Sequence, residues 1–512
     1  MSPAPDPFRT CIVVGLPAAA ALAYAFGHLG WYMGTPLGRV PVLDERENMD
    51  LAQAIFTGSL PAEPFYRAPG YALLLAGLRF AGVSAGGLFP AALVLGAVLH
   101  GMGAALVAAL ARRWFGNRSA VIAGILFALD PVMVHFATQT LDSTLSLTLF
   151  LAGLNGFAAA VAAPQRAGPW AWAGIFWAAA TLVRPNFLLV WLVAPLSAAA
   201  LPGARRPQMV AAALAGVLLF GAAAGWQKSV SGVAGFLPWQ GPYNLWAANR
   251  PGANGRYYTQ HVSLPDVLAR SNPARAESVL LYEQETGGAP GDIAAMNAHW
   301  RRRFLQEVAS HPLRWAALMA RKAYALLNNW EQYNNETYAF QKDLSPWLRW
   351  NPLGWGMLFV LAVVGAARLG AESPRSAAAL GAVCAACAAS ILLFFVSARF
   401  RLPLAAVCAV LAGGALGKLR FARAWPKGRR AALAACAALA GIVSFSSLGG
   451  VADRSTFVQD HVLLARAAFT VGDDATALSE ATAALGMQPL HPDAQAIAQA
   501  ASAEIARKAA AP

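Results

Sequence analysis

The sequence predicts an all-α polytopic membrane protein. Of its 512 residues, 57% are hydrophobic and only 12% are charged, which is about half the charged fraction of an ordinary soluble domain. Apolar stretches recur along the chain, and many approach the roughly 20 residues that a helix needs to cross a bilayer. Because lipid offers no hydrogen-bond partners to the backbone, these stretches are predicted to be helical.

We expect about 11 or 12 transmembrane or re-entrant helices from the spacing of these stretches. They are assigned to residues 10–28, 68–82, 88–111, 119–138, 142–162, 170–183, 186–200, 208–226, 352–369, 377–397, 401–417 and 431–448.

The net charge of +14 is explained by membrane topology and not by a nucleic-acid partner. The basic residues cluster in short turns between apolar segments, such as 112–118, 205–206 and 418–430. Turns rich in Lys and Arg lie on the cytoplasmic side, which predicts that loop 29–67 and the polar stretch 227–351 face the opposite, periplasmic side. This orientation requires 68–82 and 88–111 together to make one net crossing, so 68–82 is predicted to be re-entrant or interfacial.

The sequence divides into four regions that differ in how apolar they are. We expect an N-terminal transmembrane catalytic module at 1–226, which includes the first external loop 29–67, an external loop domain at 227–351, C-terminal transmembrane helices at 352–450, and a helical tail at 453–512. The aromatic residues of the external domain suit either a membrane-interface belt or contact with sugars and lipid headgroups.

The tail differs from the rest of the chain in its acidic, helically periodic sequence. Small residues at the expected helix contact and the Gly472-Asp473 turn are typical of a tetratricopeptide repeat. Because one repeat rarely buries a core, we expect a small helical appendage, with docking of a partner protein as its candidate role.

Several common chemistries find no support in the sequence. The five cysteines are scattered, and the pair Cys384 and Cys387 lies within an apolar segment, where packing explains it. There is no H-E-x-x-H motif, Walker loop, Rossmann fingerprint or G-x-S-x-G elbow. Metalloprotease, ATP-dependent and nicotinamide-dependent reactions are therefore disfavoured.

Acidic residues mark the first external loop and one membrane segment. Asp44 and Glu47 are three residues apart and share one face of a short predicted helix, and Asp142 interrupts an apolar run. A carboxylate beside the membrane can deprotonate an acceptor hydroxyl or hold a divalent cation. The plainer alternative for the first group is a solvated helix end.

Four arginines occur at predicted helix ends on the external side: Arg67, Arg184, Arg399 and Arg401. The planar guanidinium group binds phosphate oxygens in pairs, which suits a lipid phosphate. Anchoring to lipid headgroups is the alternative. Arg399 and Arg401 break the positive-inside rule, which favours a specific role for them.

In this order, the motifs over roughly residues 10–450 resemble the C-type (GT-C) integral-membrane glycosyltransferases, which use polyprenyl-phosphate sugars. Protein O-mannosyltransferases and lipid A aminoarabinose transferases are the nearest groups. The resemblance rests on Leu43-Asp-Glu-Arg-Glu47, Phe65-Tyr-Arg-Ala-Pro-Gly-Tyr71, Thr181-Leu-Val-Arg-Pro-Asn186, Asn249 with Gly255, Arg321-Lys322 with Glu331, and Arg399-Phe-Arg-Leu-Pro403.

This resemblance implies that Asp44 is the catalytic base for inverting attack on the anomeric carbon. It also implies that phosphate is bound by the arginines, namely Arg67, Arg184, Arg399 and Arg401. Candidates for contact with the acceptor or with a metal are Glu47, Asp142, Asn249, Lys322 and Glu331. Where aminoarabinose transferases carry Glu-Lys-Pro-Pro, this chain has Tyr66-Arg67-Ala68-Pro69, which leaves dependence on a divalent cation open.

The leading hypothesis is a bacterial inner-membrane glycosyltransferase acting on the periplasmic face. Its donor partner is a polyprenyl-phosphate sugar, and its acceptor is a lipid, a glycan or a protein. The alternatives are a transporter of polysaccharide or lipid-linked oligosaccharide, and a scaffold that recruits partners through its tail. A transporter is disfavoured because corresponding halves with broken helices are not evident in the sequence.

Overall fold

The computed structural model describes residues 7–201, 203, 205–262, 272–289 and 292–510, and every regular element in these ranges is helical. The first half contains α1 (Pro7–Tyr32), α2 (Asp44–Thr57), α3 (Gly70–Phe80), α4 (Ala85–Phe115), α5 (Asn117–Ala128), α6 (Pro131–Ala137), α7 (Asp142–Ala162), α8 (Ala167–Val183), α9 (Leu188–Ala200) and α10 (Arg206–Ser231). The second half contains α11 (Gln240–Ala247), α12 (Pro273–Thr286), α13 (Ile293–Ser310), α14 (Pro312–Leu327), α15 (Tyr338–Leu344), α16 (Pro346–Arg349), α17 (Trp355–Glu372), α18 (Pro374–Leu393), α19 (Ala398–Gly417), α20 (Lys427–Phe445), α21 (Phe457–Thr470), α22 (Asp474–Met487) and α23 (Pro492–Ala510).

The prediction of an all-α multi-pass membrane protein is confirmed. Within the described ranges, eight helices are long and apolar enough to cross a bilayer: α1, α4, α7, α10, α17, α18, α19 and α20. Helices α5 and α6 are bent by 58° relative to each other and form either a ninth, broken span or a re-entrant loop. The remaining predicted segments form the shorter helices α3, α8 and α9.

Helix α3 is too short to span a membrane by itself. Its 11 residues rise only about 16 Å, roughly half the thickness of the hydrocarbon core. A side chain at Gly70 would lie 2.7 Å from the carbonyl oxygen of Leu182, so glycine lets the start of α3 rest on the end of α8. This length agrees with the re-entrant or interfacial placement of 68–82, which stays a prediction.

Helix α19 forms the centre of the transmembrane core. Its residues are buried along almost their whole length, and α4, α5, α7 and α17 pack around it. The first turn of α19, the first turn of α7 and the end of α8 meet at one end of this core. That junction brings Arg399, Asp142 and Arg184 together.

The segment between α10 and α17, which the sequence predicts to be external, contains α11–α16 and has its own aromatic core among its described residues. The rings of Tyr243 and Trp246 lie 5.0 and 4.8 Å from that of Trp300, and Leu281 and Met296 complete the cluster. The early aromatic residues of this segment therefore serve chiefly as packing. Helix α10 continues to Ser231, five residues past the predicted boundary at 226.

The tail packs against the transmembrane body through its first helix, α21, and the other two tail helices pack on α21 and on each other. Leu463 and Leu464 of α21 lie in one buried cluster with Leu29 and Tyr32 of α1 and with Leu93 of α4. The tail is therefore integrated into the fold as well as being helical. The tetratricopeptide assignment remains a prediction.

One buried carboxyl joins the tail to the external segment. Oδ1 of Asp460 in α21 accepts a hydrogen bond of 2.7 Å from the backbone N–H of Thr337, while its Oδ2 has no partner among the described residues. Burial raises the pKa of Asp460 to about 6. The site therefore favours the protonated acid.

We expect the stability of the protein to fall as the pH rises from about 4 to about 6. An unfolded aspartate ionises near pH 4, so in this window the folded state binds more protons and loses stability as they dissociate. Asp460→Asn keeps a hydrogen-bond acceptor for the backbone N–H of Thr337 but cannot ionise. It should therefore weaken the dependence of stability on pH and raise the unfolding temperature at pH 7. Thermal unfolding of the detergent-solubilised protein measures this, with the exposed Asp493→Asn as control. If Asp460→Asn lost stability more steeply with rising pH than wild type does, the raised pKa of Asp460 could not be the cause of the pH dependence.

Candidate active site

The ends of the central helices open into a cavity of about 2250 Å³. The external segment and tail helix α21 form its outer wall. Six charged residues predicted from the sequence line it: Asp44, Glu47, Arg67, Asp142, Arg184 and Arg399. The structure thus gathers side chains that are as much as 355 residues apart in the chain.

Asp44 is the first residue of α2, and its position is fixed by an unusual backbone. The preceding residue, Leu43, has φ +45° and is the only described non-glycine residue with positive φ. Such conformations are strained for a branched side chain and persist where surrounding contacts impose them. Glu45, which follows Asp44, supplies such contacts. Its carboxylate accepts hydrogen bonds from the backbone N–H groups of Val42 at 3.2 Å and Thr140 at 2.8 Å.

Two arginines hold the Asp44 carboxylate between them. Arg67 Nη2 lies 2.6 Å from Oδ1, and Arg399 Nη1 lies 3.1 Å from Oδ2. Burial by itself would raise the pKa of Asp44, but the positive charges of Arg67 and Arg399 prevail and hold it well below its usual range. With both arginines paired to it, Asp44 is ionised and is a weak proton acceptor.

A second acid and arginine pair lies beside the first. Arg184 forms an ion pair with Asp142 and donates a hydrogen bond of 3.3 Å from Nη1 to the carbonyl oxygen of Arg399. Arg399 Nη1 also lies 3.9 Å from Asp142 Oδ1. Arg399 is therefore shared by both acids and is positioned through its backbone by Arg184.

Glu47 completes the group of three acids and three arginines. It pairs with Arg67 Nε and accepts a hydrogen bond of 2.9 Å from Asn272 Nδ2. Nothing in the described part of the chain groups three or more His, Cys, Asp or Glu side chains in a metal-binding arrangement. The predicted contact of Glu47 or Asp142 with a divalent cation stays a prediction, and both carboxylates line the same cavity as Asp44.

Arg401 does not join Arg399 in the cavity. Two residues along a helix correspond to a rotation of about 200°, so Arg401 points to the other side of α19. There it pairs with Glu331 at 2.5 Å and lies over the ring of Trp355 at 4.6 Å. The structure therefore gives Arg401 and Glu331 a place in the buried core, away from the other predicted ligands.

Lys322 and Asn249 also lie outside the cavity lining. Lys322 Nζ donates to Asn249 Oδ1 at 3.2 Å and to the carbonyl oxygen of Leu392 at 3.0 Å. Asn249 Nδ2 donates to the carbonyl oxygen of Leu393 at 2.8 Å. Together they satisfy carbonyl groups at the end of α18, which an α-helix leaves without internal partners. Their observed contacts are structural.

The residues that line the cavity fall into two groups of different chemistry, which we call the apolar arm and the polar arm. One is apolar and lies near the ends of α9, α10 and α18, where its lining includes Leu188, Leu189, Phe236, Leu237, Leu393 and Phe395. The other is polar and lies between α2, the loop after α14 and the tail, where its lining includes Tyr333, Asn334, Asn335, Gln459, Arg466 and Asp493. Tyr333 is one of the aromatic residues of 227–351 that suit either a membrane-interface belt or contact with sugars and lipid headgroups, whereas the other polar residues of this group were not predicted as site residues from the sequence. The uncharged polar run Gln332-Tyr-Asn-Asn335 is the signal that could have indicated them.

A search of solved structures finds similarity to two membrane proteins. The archaeal oligosaccharyltransferase AglB from Archaeoglobus fulgidus, in complex with an inhibitory peptide and a dolichol-phosphate, is 16% identical with a TM-score of 0.45, over 89% of this chain and 58% of that one. ArnT from Cupriavidus metallidurans, bound to undecaprenyl phosphate, is 16% identical with a TM-score of 0.40, over 97% of this chain and 78% of that one. The chain thus spans little more than half the length of the archaeal enzyme. No curated protein sequence matches it.

A sequence family provides the firmer comparison. Residues 72–240 match the family described as dolichyl-phosphate-mannose-protein mannosyltransferase. The matched segment contains Asp142 and Arg184, whereas Asp44, Arg67 and Arg399 lie outside it. Over this third of the chain, the match confirms the resemblance to the integral-membrane glycosyltransferases that the sequence indicated.

Proposed function

We propose that the protein is a membrane glycosyltransferase that transfers a sugar from a polyprenyl-phosphate donor to an acceptor hydroxyl on the periplasmic face of a bacterial inner membrane. The observation that carries the proposal is the Asp44 carboxylate held between Arg67 and Arg399 in a large cavity. This arrangement places the proposed base, Asp44, in direct contact with two proposed phosphate ligands, Arg67 and Arg399. A scaffold would not need this arrangement, and a transporter could use the arginines but would not need a base beside them.

The apolar arm receives the polyprenyl chain of the donor. Its leucine and phenylalanine side chains lie at the ends of membrane helices, so a lipid chain can enter from the bilayer without crossing water. Burying the chain there supplies non-directional binding energy in proportion to its apolar area. The donor phosphate then lies at the polar junction of the two arms.

The donor phosphate competes with Asp44 for the arginines. Arg67 and Arg399 bind phosphate oxygens in pairs, and their positive charge is then neutralised by the ligand instead of by Asp44. The pKa of Asp44 rises as these two ion pairs weaken. Binding of the donor thereby frees the Asp44 carboxylate from its ion pairs and allows it to act as a general base.

The reaction is a single displacement at the anomeric carbon. The acceptor oxygen forms its bond to this carbon as the bond to the phosphate oxygen breaks, and the acceptor proton passes to Asp44. The electron pair leaves on the lipid phosphate, where Arg67 and Arg399 stabilise the developing charge. A single displacement inverts the anomeric configuration. Asp142 and Arg184 keep Arg399 in position.

The proposed function is tested by binding and transfer with labelled undecaprenyl-phosphate sugars. We expect Arg399→Gln to weaken binding of undecaprenyl phosphate by the purified protein about 10- to 100-fold, because a hydrogen bond to a charged group contributes about 1.5–3 kcal/mol. Transfer in reconstituted vesicles should fall with it. Arg46→Gln, which changes an exposed arginine of the same cavity, is the matched control. Equal binding by both variants would remove Arg399 from the phosphate site.

A further inference from the structure

The polar arm of the cavity is built on one loop between α14 and α15. Tyr333, Asn334 and Asn335 of this loop line the arm, and Gln459 of α21 faces the same space. None of these four residues has a role in holding the donor phosphate. They line the same cavity as Asp44 and differ in chemistry from its apolar lining, so they are the candidate groups for binding an acceptor.

The loop is fixed at both ends by hydrogen bonds. The backbone N–H of Ala398, next to Arg399, donates to the carbonyl oxygen of Gln332 at 3.1 Å. The side chain of Gln332 donates to the carbonyl oxygen of Val451 at 3.2 Å, and Thr337 is held by Asp460. The tail and the helix that carries Arg399 thus set the position of this loop together.

The loop has hydrogen-bonding groups that the described protein does not use. Oδ1 of Asn334 and Nδ2 of Asn335 are buried without a partner. These are one acceptor and one donor on adjacent residues. Both residues line the cavity, so rotation of either side chain would offer its unused amide group to a molecule bound there.

Tyr333 places an aromatic ring and a hydroxyl beside the same space. Its ring packs edge to face against Tyr257 at 5.3 Å. Burial raises the pKa of Tyr333, and the negative charges of Asp460, Asp44 and Glu336 raise it further. The hydroxyl therefore stays protonated and can donate a hydrogen bond close to Asp44.

We propose that Tyr333, Asn334, Asn335 and Gln459 form an acceptor subsite that binds a neutral saccharide. The inference rests on the proposed function, since it assigns the substrate class of the same cavity. We expect a neutral acceptor because the four side chains of the subsite are uncharged, and because two arginines of the same cavity already form ion pairs, Arg256 with Asp453 at 3.1 Å and Arg466 with Asp493 at 3.0 Å.

A saccharide fits this lining better than a peptide. Side-chain amides donate and accept at once, and so they match ring hydroxyls that do the same, while the tyrosine ring offers a flat apolar face. Extended peptides are commonly held along a strand edge, and the described residues form no strand. The acceptor hydroxyl bound here loses its proton to Asp44, and its oxygen forms the new glycosidic bond.

The subsite is tested with Asn335→Ala and Gln459→Ala in the full-length protein. Transfer of label from undecaprenyl-phosphate hexoses to acceptors in a membrane extract should fall about 10- to 100-fold, because a site built for hydroxyl groups is impaired when its partners are removed. Binding of undecaprenyl phosphate should equal that of wild type. The unfolding temperature of Asn335→Ala should also be unchanged, since its Nδ2 has no protein partner to lose. Gln499→Ala, an exposed change on α23, is the control.

Each other outcome of this experiment overturns the inference. Normal transfer by both variants would remove these residues from the subsite, and labelled product that protease digests would make the acceptor a protein. Loss of undecaprenyl phosphate binding would place the residues in the donor site. A wild-type protein that binds the lipid phosphate but transfers no sugar would contradict the proposed function itself, and the inference with it.

Discussion

Asp44→Asn is expected to abolish most sugar transfer while leaving the donor bound. General base catalysis contributes about 10²- to 10⁴-fold to a rate, and an amide cannot accept the acceptor proton. Because Asp44 competes with phosphate for Arg67 and Arg399, its neutralisation should leave undecaprenyl phosphate binding equal to wild type or tighter. Transfer in vesicles and lipid-phosphate binding by the purified variant measure the two effects.

The combination of these two effects identifies the role of Asp44. Asp50→Asn changes an exposed acid on the same helix that also lines the cavity and should retain transfer. Weaker donor binding by Asp44→Asn would indicate that its carboxylate organises the phosphate site. Transfer at the wild-type rate would show that another group is the base.

Arg401→Met is expected to give the largest loss of stability among the arginine variants. Arg401 and Glu331 are almost fully buried, at 4% and 7% side-chain exposure. Removal of one partner leaves an unpaired carboxyl in the core, which costs about 3–5 kcal/mol. Burial already raises the pKa of Glu331, so its protonation will offset part of this cost. Thermal unfolding in detergent and the yield of folded protein measure the effect.

A double variant provides the control for Arg401. Arg401→Met combined with Glu331→Gln removes both charges of the buried ion pair. Because no unpaired carboxyl is then left in the core, the double variant should regain part of the stability that Arg401→Met loses. Arg399→Gln should show a smaller loss of stability but a larger loss of donor binding. If Arg401→Met unfolded normally yet failed to bind undecaprenyl phosphate, Arg401 would belong to the phosphate site that the sequence predicted.

The sequence was informative wherever hydrophobicity or a rule of charge placement determined the answer. The apolar segments became helices, and the arginines at unexpected helix ends, Arg67, Arg184 and Arg399, met the acids Asp44 and Asp142. These residues interrupt an otherwise apolar pattern, so each required a reason to be there. Such interruptions can be recognised without knowing which helices are neighbours.

The sequence was uninformative wherever the direction of a side chain decided the outcome. Arg399 and Arg401 look equivalent in the sequence, but the helical rotation between them sends one into the cavity and the other to Glu331. Lys322 and Asn249 bind the end of α18, a contact that depends on the tertiary fold. Asn334 and Asn335 belong to a residue type that is ordinary in loops, and only the cavity around them distinguishes them.

The contact between the tail and the first helix bears on how the protein is made. Leu463 and Leu464 pack against Leu29 and Tyr32, so a segment that is synthesised after all the described membrane helices rests on the first of them. Gln459 and Arg466 bring this later segment to the cavity wall. Until it has been made, the membrane helices lack this part of the wall. The complete lining of the cavity therefore forms only after the last of these helices has been synthesised.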